Sequence, residues 1–331
     1  RGNGRPREMV MKATVVAHAI QGLVKYHGLR DVARRIPFHD SISVCAEALR
    51  TVTTVEADDA LSVDSVTVNG RLLPGGERAR AEAVLEELRR LTGYKGHFKV
   101  VSVNSLERGK GLGFSASGFA ALGKAAGLAL GAAMDEVSLS EAVRLGAGSA
   151  TRSLAGGFAV WYADRSGRSY AEQLAGPVEL DLGMVIVPIP SDVRTDEAHA
   201  EVLSSPLFEA RLSRVNTLIE AMKDAVRNRD IASIGQLAEE DSLSLHAITM
   251  TGSSHIVLWE PETIRVLREV LKMKAEGIPA WYSMDTGPSV FINTFKKHTG
   301  EVAGRLRQAG TRNVITSAVG DKPKPVMEHL F

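Results

Sequence analysis

From Ala13 to Ile20 the chain alternates apolar and polar positions at the period of a strand, then enters polar loops at residues 25–31 and 36–40. Three β-like runs rich in Val, Thr and Ser follow at 41–46, 51–57 and 61–68, and Asn69-Gly70 is a hairpin turn signal. Residues 77–91 change to helical spacing, with Ala81, Val84, Leu85 and Leu88 on one face and Gly93 to close the helix. A strand at 98–103 leads into a Gly-rich loop and then a buried Ala/Leu/Gly helix at 119–130. Ser138-x-x-Glu141 has the spacing of a capping box, so another helix opens there. It runs into a second Gly/Ser-rich stretch at 146–157 and a strand at 158–162.

Residues 180–189 form a continuous apolar run, as expected of a strand covered on both faces, and Pro188-x-Pro190 marks a boundary. Helices are expected beyond it at 207–226, 231–239, 261–274 and 300–308, with strands at 280–284, 289–293 and 313–318. Strands come in runs with helices grouped between them. The class is therefore α+β, in two domains at 11–190 and 191–331, with residues 1–10 expected outside the fold as an extension or vector remnant. No internal repeat or low-complexity tract interrupts this pattern.

Composition narrows the function more than the fold. With 331 residues, 44% of them apolar and 24% charged, the chain can bury a sizeable core. A net charge of +1 supplies no bulk field for nucleic acid or acidic membranes. The lone Cys45 excludes an internal disulfide framework and fits a cytoplasmic, reducing setting. Nothing approaches a membrane span in length. Nine histidines invite a metal reading, but none has His-x-x-x-His or His-x-His spacing.

What remains is anion chemistry. Residues 109–118, Gly-Lys-Gly-Leu-Gly-Phe-Ser-Ala-Ser-Gly, place glycines and two hydroxyls, Ser115 and Ser117, at the start of a helix. Free amides and the positive end of the helix dipole suit a phosphate, and a hydroxyl can ligate Mg²⁺; a plain structural cap stands level with that reading. The loop is neither a P-loop nor a dinucleotide fingerprint. Lys25, Arg152 and Asp285 sit at the centres of other turn or Gly-rich segments. A carboxylate to take a hydroxyl proton and two cations to meet developing charge are what phosphoryl transfer requires. From spacing alone Asp285 reads first as a turn former before Thr-Gly-Pro, and Glu239-Glu240-Asp241 as surface, with Mg²⁺ binding the other reading.

Residues 111–118 resemble the phosphate loop of the GHMP small-molecule kinases, and the whole chain is similar to their diphosphomevalonate decarboxylase branch. Residues 23–31, Leu-Val-Lys-Tyr-His-Gly-Leu-Arg-Asp, resemble the family's L-I-K-Y-W-G-K-R-D, and residues 36–44 its L-P-x-N-S-S-I-S-V. Residues 146–157 resemble G-S-G-S-A-C-R-S-L-x-G-G, and 284–288 resemble F-D-A-G-P. The resemblance implies the two-domain GHMP kinase fold: an N-terminal ribosomal-protein-S5-like domain and a C-terminal ferredoxin-like domain, the site in the cleft between them. It implies ATP and Mg²⁺ as cofactors, a homodimer, phosphorylation of a tertiary 3-hydroxyl, and loss of phosphate and CO₂ to leave an alkene. By position it makes Asp285, Lys25 and Arg152 catalytic. Tyr26, Ser149, Arg152 and Arg78 become substrate contacts, while Arg194 and His199, in a segment at 191–199 that lacks the family's S-S-x-x-G-M, are candidates for contacts to a monophosphate. Asn104, Gly111, Gly113, Ser115, Ala116 and Ser117 become the ATP site, with Ser115 on the metal.

Departures from the family pattern point to the substrate. Leu29 replaces a lysine and Ala147 a serine at positions that the family directs toward a diphosphate, which implies one phosphate fewer: mevalonate 5-phosphate. The diphosphate, a mevalonate 3-kinase activity and a non-catalytic GHMP-like binding protein stand beside it as alternatives.

Overall fold

The computed structural model describes residues 11–106, 112–190 and 195–331. The expected extension at 1–10, Gly111 and Arg194 lie outside these described residues. In chain order the elements are β1 (Lys12–Val24), β2 (Leu29–Asp31), β3 (Ile36–Pro37), β4 (Ser41–Asp58), β5 (Ser65–Val68), β6 (Arg71–Leu72) and α1 (Gly75–Thr92). Next come β7 (His97–Asn104), α2 (Phe114–Ala129), α3 (Glu136–Gly146), α4 (Ala150–Ala155), β8 (Phe158–Trp161), β9 (Ala171–Ala175) and β10 (Leu182–Val187). The remainder holds α5 (Thr195–Glu201), α6 (Phe208–Arg227), α7 (Ile231–Met250), α8 (Pro261–Ala275), β11 (Trp281–Ser283) and β12 (Val290–Phe295). It closes with α9 (Thr299–Gln308), β13 (Ile315–Ser317) and β14 (Lys324–Val326).

The expected runs at 41–46 and 51–57 are one strand, β4, pairing with β1 along most of its length. On its other edge the first part of β4 takes β8 and the second part takes β7, so one long strand joins two strand groups into an eight-stranded sheet. The β1–β4 register shifts between His18 and Ala19, where the pairing of β4 passes from one group to the other. A second sheet, β11-β12-β10-β13, is antiparallel throughout.

β10 explains its own continuous apolar run. Met184 and Ile186 enter a core shared with β1, β4, α6 and α7, while Val185 and Val187 enter a separate core under α8 and α9. Successive side chains leave a strand on opposite faces, so covering both faces removes the alternation. Helices α6 and α7 thus lie between the two sheets, and the first core joins the two halves of the molecule.

The change of sheet does not coincide with residue 190: β10 already belongs to the second sheet, and β14 returns to pair with β1. Other differences are local. Asp135, not Ser138, caps α3 by accepting the Ser138 amide, and Glu141 instead meets Arg168. Helix α7 continues well past Glu239 to Met250, because Asp241, Ser242, Leu245, His246 and Thr249 are all buried on its inner side. Polar residues buried at helical spacing are invisible to a hydrophobic pattern.

Candidate active site

The last residues of β1 reach across to the turn after β11. Both carboxylate oxygens of Asp285 accept the Gly22 amide, at 3.0 and 3.2 Å. Ser283 Oγ donates to the Gly22 carbonyl (3.2 Å) and accepts from Lys25 Nζ (2.9 Å). Two hydrogen bonds from one glycine therefore stitch the two halves together beside the lysine. A Cβ on Gly22 would lie 2.6 Å from Lys25 Cγ and 2.9 Å from Asp285 Oδ1, closer than side-chain carbons come to such atoms. The absence of a side chain is what lets Lys25 and Asp285 converge.

Desolvation pushes the Asp285 carboxyl up to about 6, against the pull of Lys25, the Gly22 amide and Arg152. The group is half-buried, still ionised at neutral pH, and far more basic than an ordinary aspartate. Burial likewise holds the Lys25 ammonium below its usual range, opposed by Asp241 and Asp285. A base near neutrality beside a desolvated cation can accept a hydroxyl proton while charge develops nearby.

Asp241, read from sequence as surface, is completely buried in α7. Its Oδ2 accepts the Lys25 backbone amide (2.8 Å) and stands 3.7 Å from Lys25 Nζ; its Oδ1 accepts from Arg211 of α6 (2.8 Å). Of that acidic triplet, Glu239 pairs with Lys274 and Glu240 with Arg214.

Arg152 projects from α4, a single turn inside the second Gly-rich stretch. Its guanidinium lies 5.4 Å from the Tyr26 ring centre and 5.8 Å from that of Trp161, and Nε and Nη1 are buried without a hydrogen-bond partner. Burial lowers its pKa, although an arginine keeps its proton. Two idle donors on a buried cation are costly unless an anion completes them. The glycines of this stretch serve packing: a Cβ at Gly146 would meet the Phe119 ring, and one at Gly148 the Trp161 ring.

Tyr26 stacks on His199 (5.0 Å between ring centres) and meets Trp161 edge-on (4.8 Å). His199 Nδ1 accepts the Gly28 amide at 3.2 Å. His27 is buried in the same aromatic group, 4.6 Å from the His199 ring, with Nε2 3.2 Å from Thr249 Oγ1; burial drives its pKa well below the usual value.

At the mouth of α2 the sites are of two kinds. Gly113 has φ +75°, and a Cβ there would lie 2.7 Å from the Ile20 carbonyl, so the backbone enters the helix in a left-handed turn against β1. Ser115 is exposed in the first turn. Ser117 turns inward, 2.7 Å from Thr51 Oγ1, which donates to Asn104 Oδ1 (2.7 Å). Ala116 is buried against Ile20 and Cys45. Asn104, Thr51 and Ser117 thus fix the helix start to the sheet, and the Ala116 and Ser117 amides donate to the Gly113 carbonyl, so that only the amides at the very start of the helix and the exposed Ser115 hydroxyl remain for a ligand.

Lys25, Tyr26, Arg152, His199 and Asp285 are thereby gathered, and Ser149 lies one position before α4 with no capping bond from its side chain. Arg78 is not among them: it is exposed on α1 and bonds Glu82 of the same helix (2.7 Å). Ala147 is buried in the apolar core of α1, α2 and α3. Gly22, Arg211 and Ser283 escaped the sequence reading, and Asp241 entered it only as surface or a Mg²⁺ ligand. Gly22 sits at the end of a strand-like run, between Gln21 and Leu23, and Asp241 in an acidic triplet, so neither pattern marks a site. Among the described residues, no three His, Cys, Asp or Glu side chains gather as a metal site.

Two family models cover nearly the whole chain: a diphosphomevalonate decarboxylase-like N-terminal domain over residues 17–171, and a mevalonate 5-diphosphate decarboxylase C-terminal domain over 194–327. The chain belongs to the diphosphomevalonate decarboxylase family. Within it, the chain is 40% identical to a phosphomevalonate decarboxylase of Haloferax volcanii, over 94% of this chain and 96% of that one. A diphosphomevalonate decarboxylase of Candida albicans is 29% identical, over 96% and 99%. Among solved structures, mevalonate diphosphate decarboxylase from Staphylococcus aureus superposes with a TM-score of 0.89 at 28% identity, over 96% and 98%. Another, with a TM-score of 0.88 at 27% identity over 96% and 99%, is a complex with AMPPCP and magnesium. The family's α+β two-domain fold is the one expected from the motifs. This is a family of ATP-dependent decarboxylases, and no helix among the described residues is long and apolar enough to cross a membrane.

Proposed function

We propose that the chain converts mevalonate 5-phosphate to isopentenyl phosphate, consuming ATP with Mg²⁺ and releasing CO₂, ADP and phosphate. The observation that carries this reading is the convergence of Asp285, Lys25 and Arg152 at the junction of the two halves, with two buried Arg152 donors lacking an acceptor. A tertiary alcohol bearing a neighbouring carboxylate suits that set.

The mouth of α2 fits nucleotide phosphates: a left-handed glycine gives close approach, and Phe114 and Ser115 begin a 16-residue helix whose positive dipole end favours an anion. With no carboxylate cluster among the described residues, Mg²⁺ would be held by phosphate oxygens and Ser115. When bound, ATP and Mg²⁺ supply the phosphoryl group and neutralise its charge. Asp285 accepts the 3-hydroxyl proton as that oxygen attacks. Lys25 meets charge on the transferring oxygens, and Arg152 holds the substrate carboxylate through Nε and Nη1. The phosphorylated oxygen is a good leaving group, so the carboxylate then needs only correct orientation for the C–C bond to break.

Two observations support the monophosphate: the 40% identity to a phosphomevalonate decarboxylase and the half-exposed apolar Leu29 on β2. Arg194 and His199 are assigned to the 5-phosphate. The buried Ala147 methyl bears on this only through packing. We place the reaction in the cytoplasm, consistent with the reduced, buried Cys45, and on a homodimer, which light scattering tests. Steady-state kinetics with mevalonate, its 5-phosphate and its 5-diphosphate, following ADP and CO₂ separately, test the whole reading. We expect coupled ADP and CO₂ release, fastest with the 5-phosphate. ADP without CO₂ would favour a 3-kinase, and preference for the diphosphate would reverse the substrate assignment.

A further inference from the structure

Resting on the role given to Lys25 above, we propose that Asp241 is a positioning residue for that lysine, with Arg211 as the counter-charge that fixes Asp241 in turn. Between them these two side chains hold nearly every polar atom of Lys25. Its amide donates to Asp241 Oδ2 (2.8 Å), its carbonyl accepts from Arg211 Nη2 (2.8 Å), and its ammonium stands 3.7 Å from Asp241 Oδ2. Arg211 bonds Asp241 Oδ1 at 2.8 Å and its backbone carbonyl at 3.4 Å. Side-chain exposure is 5% for Lys25, 2% for Arg211 and none for Asp241, so water cannot substitute for either contact.

The placement links the two halves. Lys25 follows β1 of the first sheet, whereas Arg211 and Asp241 belong to α6 and α7, the helices between the sheets. The lysine is therefore delivered with its charge only when α6 and α7 are docked on the end of β1. Ser242, the next residue, extends the clamp by accepting the Met284 amide (2.8 Å) and donating to its carbonyl (3.1 Å), beside Asp285. One turn of α7 thus sets the positions of both Lys25 and the turn that carries Asp285.

The charges facing Lys25 give the proposal a sign. Asp241 from α7 and Asp285 from the turn after β11 favour its ammonium form; Arg211 from α6 and Arg152 from α4 oppose it. His246, also on α7, is neutral, its pKa lowered to about 3 by burial. Removing the Asp241 charge leaves Asp285 alone to oppose desolvation and two cations, so the lysine deprotonates at lower pH. Removing Arg211 does the opposite. A role confined to holding the fold together moves neither limb of the rate profile.

The test is the pH dependence of kcat for Asp241→Asn and Arg211→Met, with KM for ATP as control and Lys25→Met alongside. Asp241→Asn is expected to lower kcat at pH 8 at least about tenfold and to move the alkaline limb down by about one pH unit or more, leaving KM for ATP near its original value. Arg211→Met is expected to move that limb upward. Should Asp241→Asn not fold, judged by near-ultraviolet circular dichroism, the upward shift in Arg211→Met carries the test. If Lys25→Met is inactive while neither Asp241→Asn nor Arg211→Met moves the alkaline limb, the role of Asp241 is overturned and that of Lys25 stands. An active Lys25→Met enzyme removes Lys25 from the mechanism, and Asp241 with it.

Discussion

Gly22→Ala adds one methyl group where the chain has least room. Its Cβ would sit 2.6 Å from Lys25 Cγ and 2.9 Å from Asp285 Oδ1, each inside the 3.0 Å that real Cβ atoms respect. Gly22 has no positive φ, so alanine meets no backbone penalty there and the whole effect is contact. Lys25 cannot simply swing aside, because its amide and ammonium are tied to Asp241 and Ser283. Asp285 must yield, and with it the 3.0 Å bond from the Gly22 amide. Relief of both contacts requires displacements of several tenths of an ångström shared between the base and the cation. Overpacking of this kind costs about 1–3 kcal/mol in stability, whereas a comparable misplacement of reacting groups costs up to ~10²-fold in rate. Gly22→Ala should therefore unfold only a few degrees below the unmodified protein yet lose about one to two orders of magnitude in kcat. Differential scanning calorimetry and steady-state ADP release on the same preparation separate the two effects. A variant that melts normally and turns over within about threefold of the original would refute the claim that Lys25 and Asp285 act as a converged pair.

Asp285→Asn should lower kcat at least ~10²-fold with ATP binding intact, measured by single-turnover ADP formation. Because burial raises this carboxyl to about 6, activity should fall as pH drops through that value and the base is protonated; a rate that is flat from pH 7 to 5 would contradict the assignment. The linkage has the opposite sign for stability: a carboxyl with a raised folded pKa disfavours the fold once ionised, so Asp285→Asn should melt no lower than the unmodified chain at pH 8. Arg152→Lys keeps the charge but loses the paired donors, so CO₂ release should fall sharply; unchanged kcat/KM would show that two-point contact is unnecessary. Leu29→Lys should raise the ratio of kcat/KM for the 5-diphosphate over the 5-phosphate, by about tenfold if the new ammonium reaches a terminal phosphate.

Much of the site was legible in order along the chain. Lys25, Arg152 and Asp285 stand out because each interrupts a Gly-rich or turn segment with a charge, and short-range patterns record such interruptions. The α+β class followed from the same local source, as did the double burial of β10, since hydrophobic periodicity reports how many faces of an element are covered. What local pattern cannot encode is which residues distant in sequence meet. Nothing near Gly22 indicates that its amide will bond a carboxylate 263 residues away, and its missing side chain has meaning only because Lys25 and Asp285 approach from opposite sides. Asp241 carries the same lesson in reverse: an acidic triplet on a helix reads as solvated, and only the docking of α7 against β1 and α6 turns Asp241 inward to meet Lys25 and Arg211. The residue types available for chemistry were set by the chain itself. Burial, and with it the basicity of Asp285 and the charge environment of Lys25, was decided by tertiary packing, because desolvation depends on everything that surrounds a group.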